Sequence, residues 1–348
     1  MNIKLIKINK LRKFCKNVFI KSGLSDKDAI IATDVILFAN IRGIDSHGIV
    51  RLPTYINRLK AGGINSKPNI KSVKARGSIV IVDGDNGMGQ VIGNYGVSVA
   101  IKKAKKYGIS FVGVYNSDHF GVASYYSINM AKANMIGIAM SNTPPNSVAW
   151  GGSNKVIGNN PLSIAIPYDL KKQIVLDISM SKVSGGKILM AAIEKKKIPK
   201  DWIIDGNGKQ TDDPNEFFRG GALLPFGEHK GYGLAFMIEV LTGVLTGAGM
   251  LSQVPPWSAD ANIVKNCGHC FICINIEKIM NLKDFKARLD WVIKQIKSSK
   301  LAEGSDGIFI PGEKEWEIEE KRKKDGIAIS EEIWQELEKI ARNYNEPL

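Results

Sequence analysis

Residues 78–115 constrain the fold more than any other stretch. Ser78–Asp83 reads Ser-Ile-Val-Ile-Val-Asp, a β-branched apolar run that predicts a strand. A glycine-rich turn follows, then a helical pattern to about Tyr107, then a second apolar strand over 109–115. A strand–helix–strand unit needs a sheet for the helix to pack on. The pattern continues, with strands expected at 136–142, 162–167, 174–177 and 270–276. Helices are expected at about 121–134, 187–195, 230–247, 283–298, 314–324 and 330–343. The fold class is therefore α/β or α+β. Before this region, residues 8–42 predict two helices broken at Ser22-Gly23-Leu24-Ser25-Asp26, with Ser25 and Asp28 forming a capping box. A third helix is expected from Arg51 to Lys60. Residues 144–161 and 199–228 are rich in Pro, Gly, Asn and Asp, and long irregular segments of this kind often carry function.

The turn after the first strand reads Asp83-Gly-Asp-Asn-Gly87-Met-Gly89-Gln-Val-Ile-Gly93. A dinucleotide fingerprint needs G-x-G-x-x-G and an acidic residue about 20 positions on. Here the third glycine comes one residue too late, and the strand 109–115 runs into Asn-Ser-Asp-His. The pattern fails as a Rossmann signature and reads as a glycine-rich turn into a helix.

Net charge is +14 over 348 residues, which raises the question of a nucleic-acid partner. The lysines are spread along the chain, and the densest runs lack interleaved aromatic residues, so no nucleic acid is expected. No apolar run reaches the roughly 18 residues of a membrane helix, so no membrane is expected. The basic N-terminus lacks an apolar core and a small-residue cleavage site, so a cytoplasmic enzyme is expected. Cys267, Cys270 and Cys273 form C-x-x-C-x-x-C around His269. The apolar Cys-Phe-Ile-Cys-Ile-Asn-Ile context predicts a strand, which would point Cys270 and Cys273 to opposite faces. Incidental buried thiols and no metal are the expectation.

Chemistry concentrates in Ile44-Asp45-Ser46-His47-Gly48-Ile49-Val50-Arg51. Histidine suits proton transfer near neutral pH. If the segment is helical, Arg51 shares a face with His47, although Pro53 weakens that premise. A guanidinium can grip a carboxylate in a bidentate pair while the imidazole serves the neighbouring oxygen. On spacing alone, an ordinary cap with an exposed histidine fits equally well. His119, in Asn-Ser-Asp-His-Phe-Gly, follows a strand end, where ligands collect in α/β proteins. His229-Lys230 opens a predicted helix, and Asp177-Ile178-Ser179 closes a predicted strand.

Taken together, these residues resemble the type 2 malate/L-lactate dehydrogenase family, which includes sulfolactate and ureidoglycolate dehydrogenases and 2,3-diketogulonate reductase. The matching stretches are RGIDSHGIVRLPTYINRLKAGGIN, VDGDNGMGQVIG, NSDHFGVASYYS, WGGSNKVIGNNPLSIAIP, LDISMS, LLPFGEHKGYGLAFMIEVL and IPGE, among others in family order over nearly the whole chain. The resemblance implies an α/β, non-Rossmann fold and an NAD(P)-dependent oxidoreductase of small 2-hydroxy or 2-oxo acids, malate- or lactate-like. It implies His47 as acid/base, with Ser46 and Arg51 beside it and His119 as the competing candidate. The expected cofactor is NAD, with NADP the alternative. Its contacts would be Ser141, Asp177, Ile178, Ser179, Lys230, Gly312, Glu313 and Lys314. A homodimer is expected, with residues 1–75 plus 285–348 as a helical substrate and dimer domain and 76–284 as the central cofactor-binding domain. The chain has Gly158-Asn159-Asn160-Pro161 where relatives commonly read G-T-N-P, and Asp177-Ile178-Ser179-Met180 where many read D-M-A-T. This mixture leaves the acid open, with a diketo sugar acid or cyclic imine carboxylate as the alternative substrate. The non-enzyme alternative is a basic nucleic-acid-binding protein.

Overall fold

The computed structural model describes residues 3–169, 172–256 and 258–348. The chain opens with β1 (Ile3–Ile6), α1 (Ile8–Lys21), α2 (Asp26–Ile41) and α3 (Leu52–Ala61). The central region follows: β2 (Lys71–Arg76), β3 (Ile79–Asp83), α4 (Gly89–Tyr107), β4 (Ile109–Ser117), α5 (Ala123–Lys132), β5 (Met135–Ser141), β6 (Leu162–Pro167) and β7 (Gln173–Ile178). After it come α6 (Gly185–Ile193), the short strands β8 (Ile203–Ile204), β9 (Gln210–Thr211) and β10 (Ala222–Leu223), and α7 (His229–Glu239). The last elements are β11 (Cys267–Asn275), α8 (Leu282–Lys297), α9 (Glu313–Asp325), β12 (Ile327–Ser330) and α10 (Glu331–Tyr344).

Seven strands form the main sheet in the order β2-β3-β4-β11-β5-β6-β7. Only β3 and β4 run parallel, and the other neighbours are antiparallel. A doubly wound parallel sheet is therefore ruled out, as the failed glycine fingerprint predicts. The fold is mixed α/β. Helices α4 and α5 cover one face, burying Ile92, Val97, Tyr126 and Met130 against Val80, Val112, Phe271 and Cys273. On the other face, α7 buries Ala235 and Ile238 with Met140 and Cys270. Cys270 and Cys273 thus face opposite cores from one strand, as the alternation of strand side chains requires. Burial pushes the Cys267 and Cys273 thiols up to about 12. Among the described residues no group of three His, Cys, Asp or Glu is placed to hold a metal, and no helix is long and apolar enough to cross a membrane.

The two ends of the chain meet. β1 pairs antiparallel with β12, Ile3 opposite Ser330 and Ile6 opposite Ile327. A separate apolar core joins Leu11, Phe14 and Val18 of α1, Leu37 of α2 and Tyr55 of α3 to Leu337 and Ile340 of α10. This core carries the segment with Ser46, His47 and Arg51 to the edge of the sheet.

One edge of the sheet matters for function. β3, β4, β5 and β7 end there, while β6 and β11 begin there. The register places Met140, Leu162 and Ile178 in one row across β5, β6 and β7, and His269 of β11 opposite Ser141.

Candidate active site

The turn that carries His47 is fixed from below and from the side. Asn40 of α2 accepts from the Ile49 N–H at 2.7 Å and donates to Asp45 Oδ1 at 2.7 Å. Arg322 of α9 adds a two-pronged contact to Asp45, at 2.6 and 2.9 Å. Residues 45–47 and 49–51 therefore form two successive 3-10 turns ahead of α3. The helix expected from Arg51 to Lys60 is α3, and His47 lies ahead of it. Pro53 sits at the start of α3, so the helix begins only at Leu52. Arg51 still turns back, its Nε donating to the Ser46 carbonyl at 2.8 Å. Ser46 packs on Gly186 of α6, where a Cβ would lie 2.8 Å from Ser46 Cβ.

His119 arrives from the loop after β4 and stacks on His47, with ring centroids 5.5 Å apart and planes 27° apart. The sequence offers the two histidines as competitors, and the structure brings them to one place. Each has a hydroxyl on Nδ1: Ser46 Oγ at 3.0 Å for His47, and Tyr55 Oη at 2.6 Å for His119. Burial, then Arg51, pushes His47 down to about 4. Burial, then the positive field of His47, Arg51 and Lys265, pushes His119 well below the ordinary histidine value. Both imidazoles are thus neutral near neutral pH. Burial raises the Tyr55 phenol, so it stays protonated beside His119 Nδ1.

The loop bearing His119 is clamped. Arg58 of α3 donates to Asp118 Oδ2 through Nε at 3.1 Å and Nη2 at 2.8 Å, and both side chains are buried. Asp118 Oδ1 accepts the His119 N–H at 2.6 Å. From the other side, α4 presses its first residue on the loop. A Cβ at Gly89 would lie 2.2 Å from the Asp118 carbonyl oxygen and 2.5 Å from that of His119. The glycine-rich turn therefore serves a close helix–loop approach.

Sequence reasoning missed Tyr55, Arg58 and Asp118. The signal for Tyr55 and Arg58 was their spacing four and seven residues after Arg51, one face of α3. Nothing local ties Asp118 to Arg58, because the pair forms across 60 residues of chain.

The other expected residues lie along the same sheet edge. Asp177 accepts the Ser124 N–H at 3.1 Å, and burial pushes its carboxyl up to about 6. Ile178 ends β7, and Ser179 Oγ lies 3.3 Å from Ser181 Oγ. Hydrogen bonds between Met180 and Phe226 and between Lys182 and Leu224 bring the chain leading to Lys230 beside this turn. Lys230 is exposed in the first turn of α7. The Val175 N–H donates to the Pro311 carbonyl at 3.0 Å, which sets Gly312, Glu313 and Lys314 beside β7. Glu313 is held by Lys297 and by the Ile310 N–H, and Lys314 Nζ lies 4.3 Å from the Phe309 ring centre. Ser141 is buried at the end of β5, its hydroxyl bonded to the Asn142 and Gly268 carbonyls and to His269.

The chain matches the malate/L-lactate dehydrogenase family over residues 6–338. The chain belongs to that family. It is 40% identical to L-sulfolactate dehydrogenase of Methanocaldococcus jannaschii over 338 residues, covering 97% of this chain and 96% of that protein. It is 39% identical to malate dehydrogenase of Pyrococcus abyssi over 341 residues, covering 96% of this chain and 93% of that protein. The solved malate dehydrogenase of Entamoeba histolytica superposes with a TM-score of 0.96 at 32% identity, covering all of this chain and 99% of that one. The chain is thus an oxidoreductase of small hydroxy acids, of a kind that uses a nicotinamide cofactor. Nothing in these likenesses supports the nucleic-acid reading.

The residues present fit such a cofactor. Asp177, a carboxylate raised by burial, and the Ser179 hydroxyl stand at the open end of β7. Lys230 and the start of α9 border the same turn.

Proposed function

We propose that this dehydrogenase interconverts a malate- or lactate-like 2-hydroxy acid and its 2-oxo acid, with His47 as acid/base. The observation that carries the reading is the meeting of His47, His119 and Arg51 at one sheet edge. Arg51 would bind the substrate carboxylate, its guanidinium anchored through Nε to Ser46. His47, neutral in the unliganded site, is poised to take the hydroxyl proton. In the reverse direction a bound carboxylate raises its proton affinity, so it can return that proton. His119 would hold the reacting oxygen. A nicotinamide cofactor bound along Asp177–Ser179, Lys230 and Gly312–Lys314 would accept or supply the hydride. Positioning supplies much of the rate gain.

The malate and sulfolactate dehydrogenases among the relatives support a substrate with a second acidic group. We read the cofactor as NAD, the assembly as a homodimer and the setting as cytoplasmic. The β1–β12 pairing supports residues 1–75 with 285–348 as the substrate and dimer domain around 76–284. The test is a panel of pyruvate, oxaloacetate, sulfopyruvate and diketogulonate, each assayed with NADH and NADPH. Turnover of oxaloacetate or sulfopyruvate above pyruvate is expected. Preference for diketogulonate would overturn the substrate assignment.

A further inference from the structure

His269 lies at the centre of the sheet, fully buried, and the mechanism above does not use it. Its ring bridges two strand ends. Nδ1 lies 2.9 Å from Ser141 Oγ at the end of β5, and Nε2 lies 2.8 Å from Ser117 Oγ at the end of β4. A neutral imidazole donates from one nitrogen and accepts at the other, and each serine hydroxyl can play either part. Burial pushes His269 down to about 3, so this neutral form persists across the working range.

The ring also touches the loop of His119 a second time. Phe120 stacks flat on it, with centroids 4.4 Å apart and planes 3° apart. Tyr126 stacks on the other side of Phe120 at 4.6 Å and donates to its carbonyl at 2.5 Å. Ser117 precedes His119 by two residues, and Phe120 follows it by one. His269 therefore grips the loop on both sides of His119, while its other nitrogen is tied to the β5 end. A leucine or phenylalanine would fill the same volume but leave the Ser117 and Ser141 contacts unmade.

We propose that His269 is a positioning residue that sets the His119 loop in register with the β5 end by hydrogen-bonding Ser117 and Ser141 together. The proposal rests on the reading of His47 and His119 as the proton-handling pair. It predicts that the loss of these two bonds slows the chemical step more than it weakens binding.

His269→Phe keeps the stack on Phe120 and removes both bonds. His269→Gln retains an amide that can donate to one serine and accept from the other. With the fastest oxo acid of the panel, His269→Phe is expected to lose on the order of 10²-fold in kcat, the scale of a small misplacement. The primary isotope effect from 4-deuterated reduced cofactor should rise, while the cofactor KM changes little. His269→Gln should recover about tenfold of the loss. Unchanged kcat in His269→Phe would overturn the proposal. So would an equal loss in both variants with an unchanged isotope effect, since that marks a merely structural role. Ser117→Ala removes one bond with little change in volume, and gives the same reading if His269→Phe does not fold. Side-chain 15N NMR of the wild-type protein supplies a readout without turnover. It should show His269 as a neutral, singly protonated ring at about pH 7, and a doubly protonated ring would overturn the bridge of one donated and one accepted bond. Full turnover in both His47→Ala and His119→Ala would overturn the underlying site reading instead, and neither variant touches His269.

Discussion

The hydroxyl of Tyr55 is hydrogen-bonded to Nδ1 of His119 at 2.6 Å, from a helix that begins one residue after Arg51. The start of one short helix thus sets the positions of both Arg51 and His119. Tyr55→Phe keeps the ring and removes the hydroxyl. A kcat loss of roughly tenfold is expected, about 1.4 kcal/mol, the scale of one buried hydrogen bond. Thermal melting should fall by only a few degrees. Steady-state kinetics beside a melting curve separate the two effects.

His47→Ala should leave cofactor binding intact and lower kcat by about 10²–10⁴-fold. Quenching of tryptophan fluorescence by reduced cofactor reports the binding. Near wild-type turnover would transfer the acid/base role to His119.

Three histidines with depressed proton affinity make acid stability a sensitive readout. In the folded protein His47 is held to about 4 and His269 to about 3, and His119 is also depressed. The unfolded chain titrates them near 6.5. The unfolded state therefore binds more protons below that value, and stability falls as pH drops. The penalty is absent above about pH 6.5 and grows down to about pH 4. Urea midpoints measured from pH 8 to pH 4.5 should show this loss, and His269→Gln should flatten it. An unchanged slope in that variant would contradict a neutral His269.

The pair Arg58–Asp118 is buried on both sides. Arg58→Met takes the guanidinium from a buried carboxylate and should destabilise the protein by about 3–5 kcal/mol. Adding Asp118→Leu should restore part of that stability but not the turnover, because the His119 N–H loses its acceptor. Denaturant unfolding of the single and double variants checks both statements.

Much of the fold was legible because the apolar periodicities are clean. The strand expected at 162–167 is β6, and the helix expected at 283–298 is α8, which spans Leu282–Lys297. β2 escaped notice because Lys-Ser-Val-Lys-Ala-Arg is an exposed edge strand with no buried face to leave a pattern. β1 and β12 are four residues each and are defined by one another across the whole chain. At the site, His47, Arg51 and His119 were readable as residue types beside turns. Their stacking, and the Arg58–Asp118 clamp, arise from contacts between distant segments that no local spacing encodes.

Gly89→Ala would force α4 away from the carbonyls of Asp118 and His119. Overpacking of this kind costs about 1–3 kcal/mol. The expected result is a lower melting temperature together with a fall in kcat, since the loop that shifts is the one bearing His119.

The pairing of β1 with β12 sets the order of events during synthesis. Residues 8–61 emerge early, yet the core that seats α1 and α3 is closed by Leu337 and Ile340 of α10. A nascent chain therefore holds its Ser46–His47 turn on an unfinished platform until α10 has left the ribosome. Such distant closure makes folding slow relative to local helix formation. Catalytic competence would then appear late and all at once, so a chain stalled before residue 327 would be inert even though every residue assigned to its chemistry had already been made.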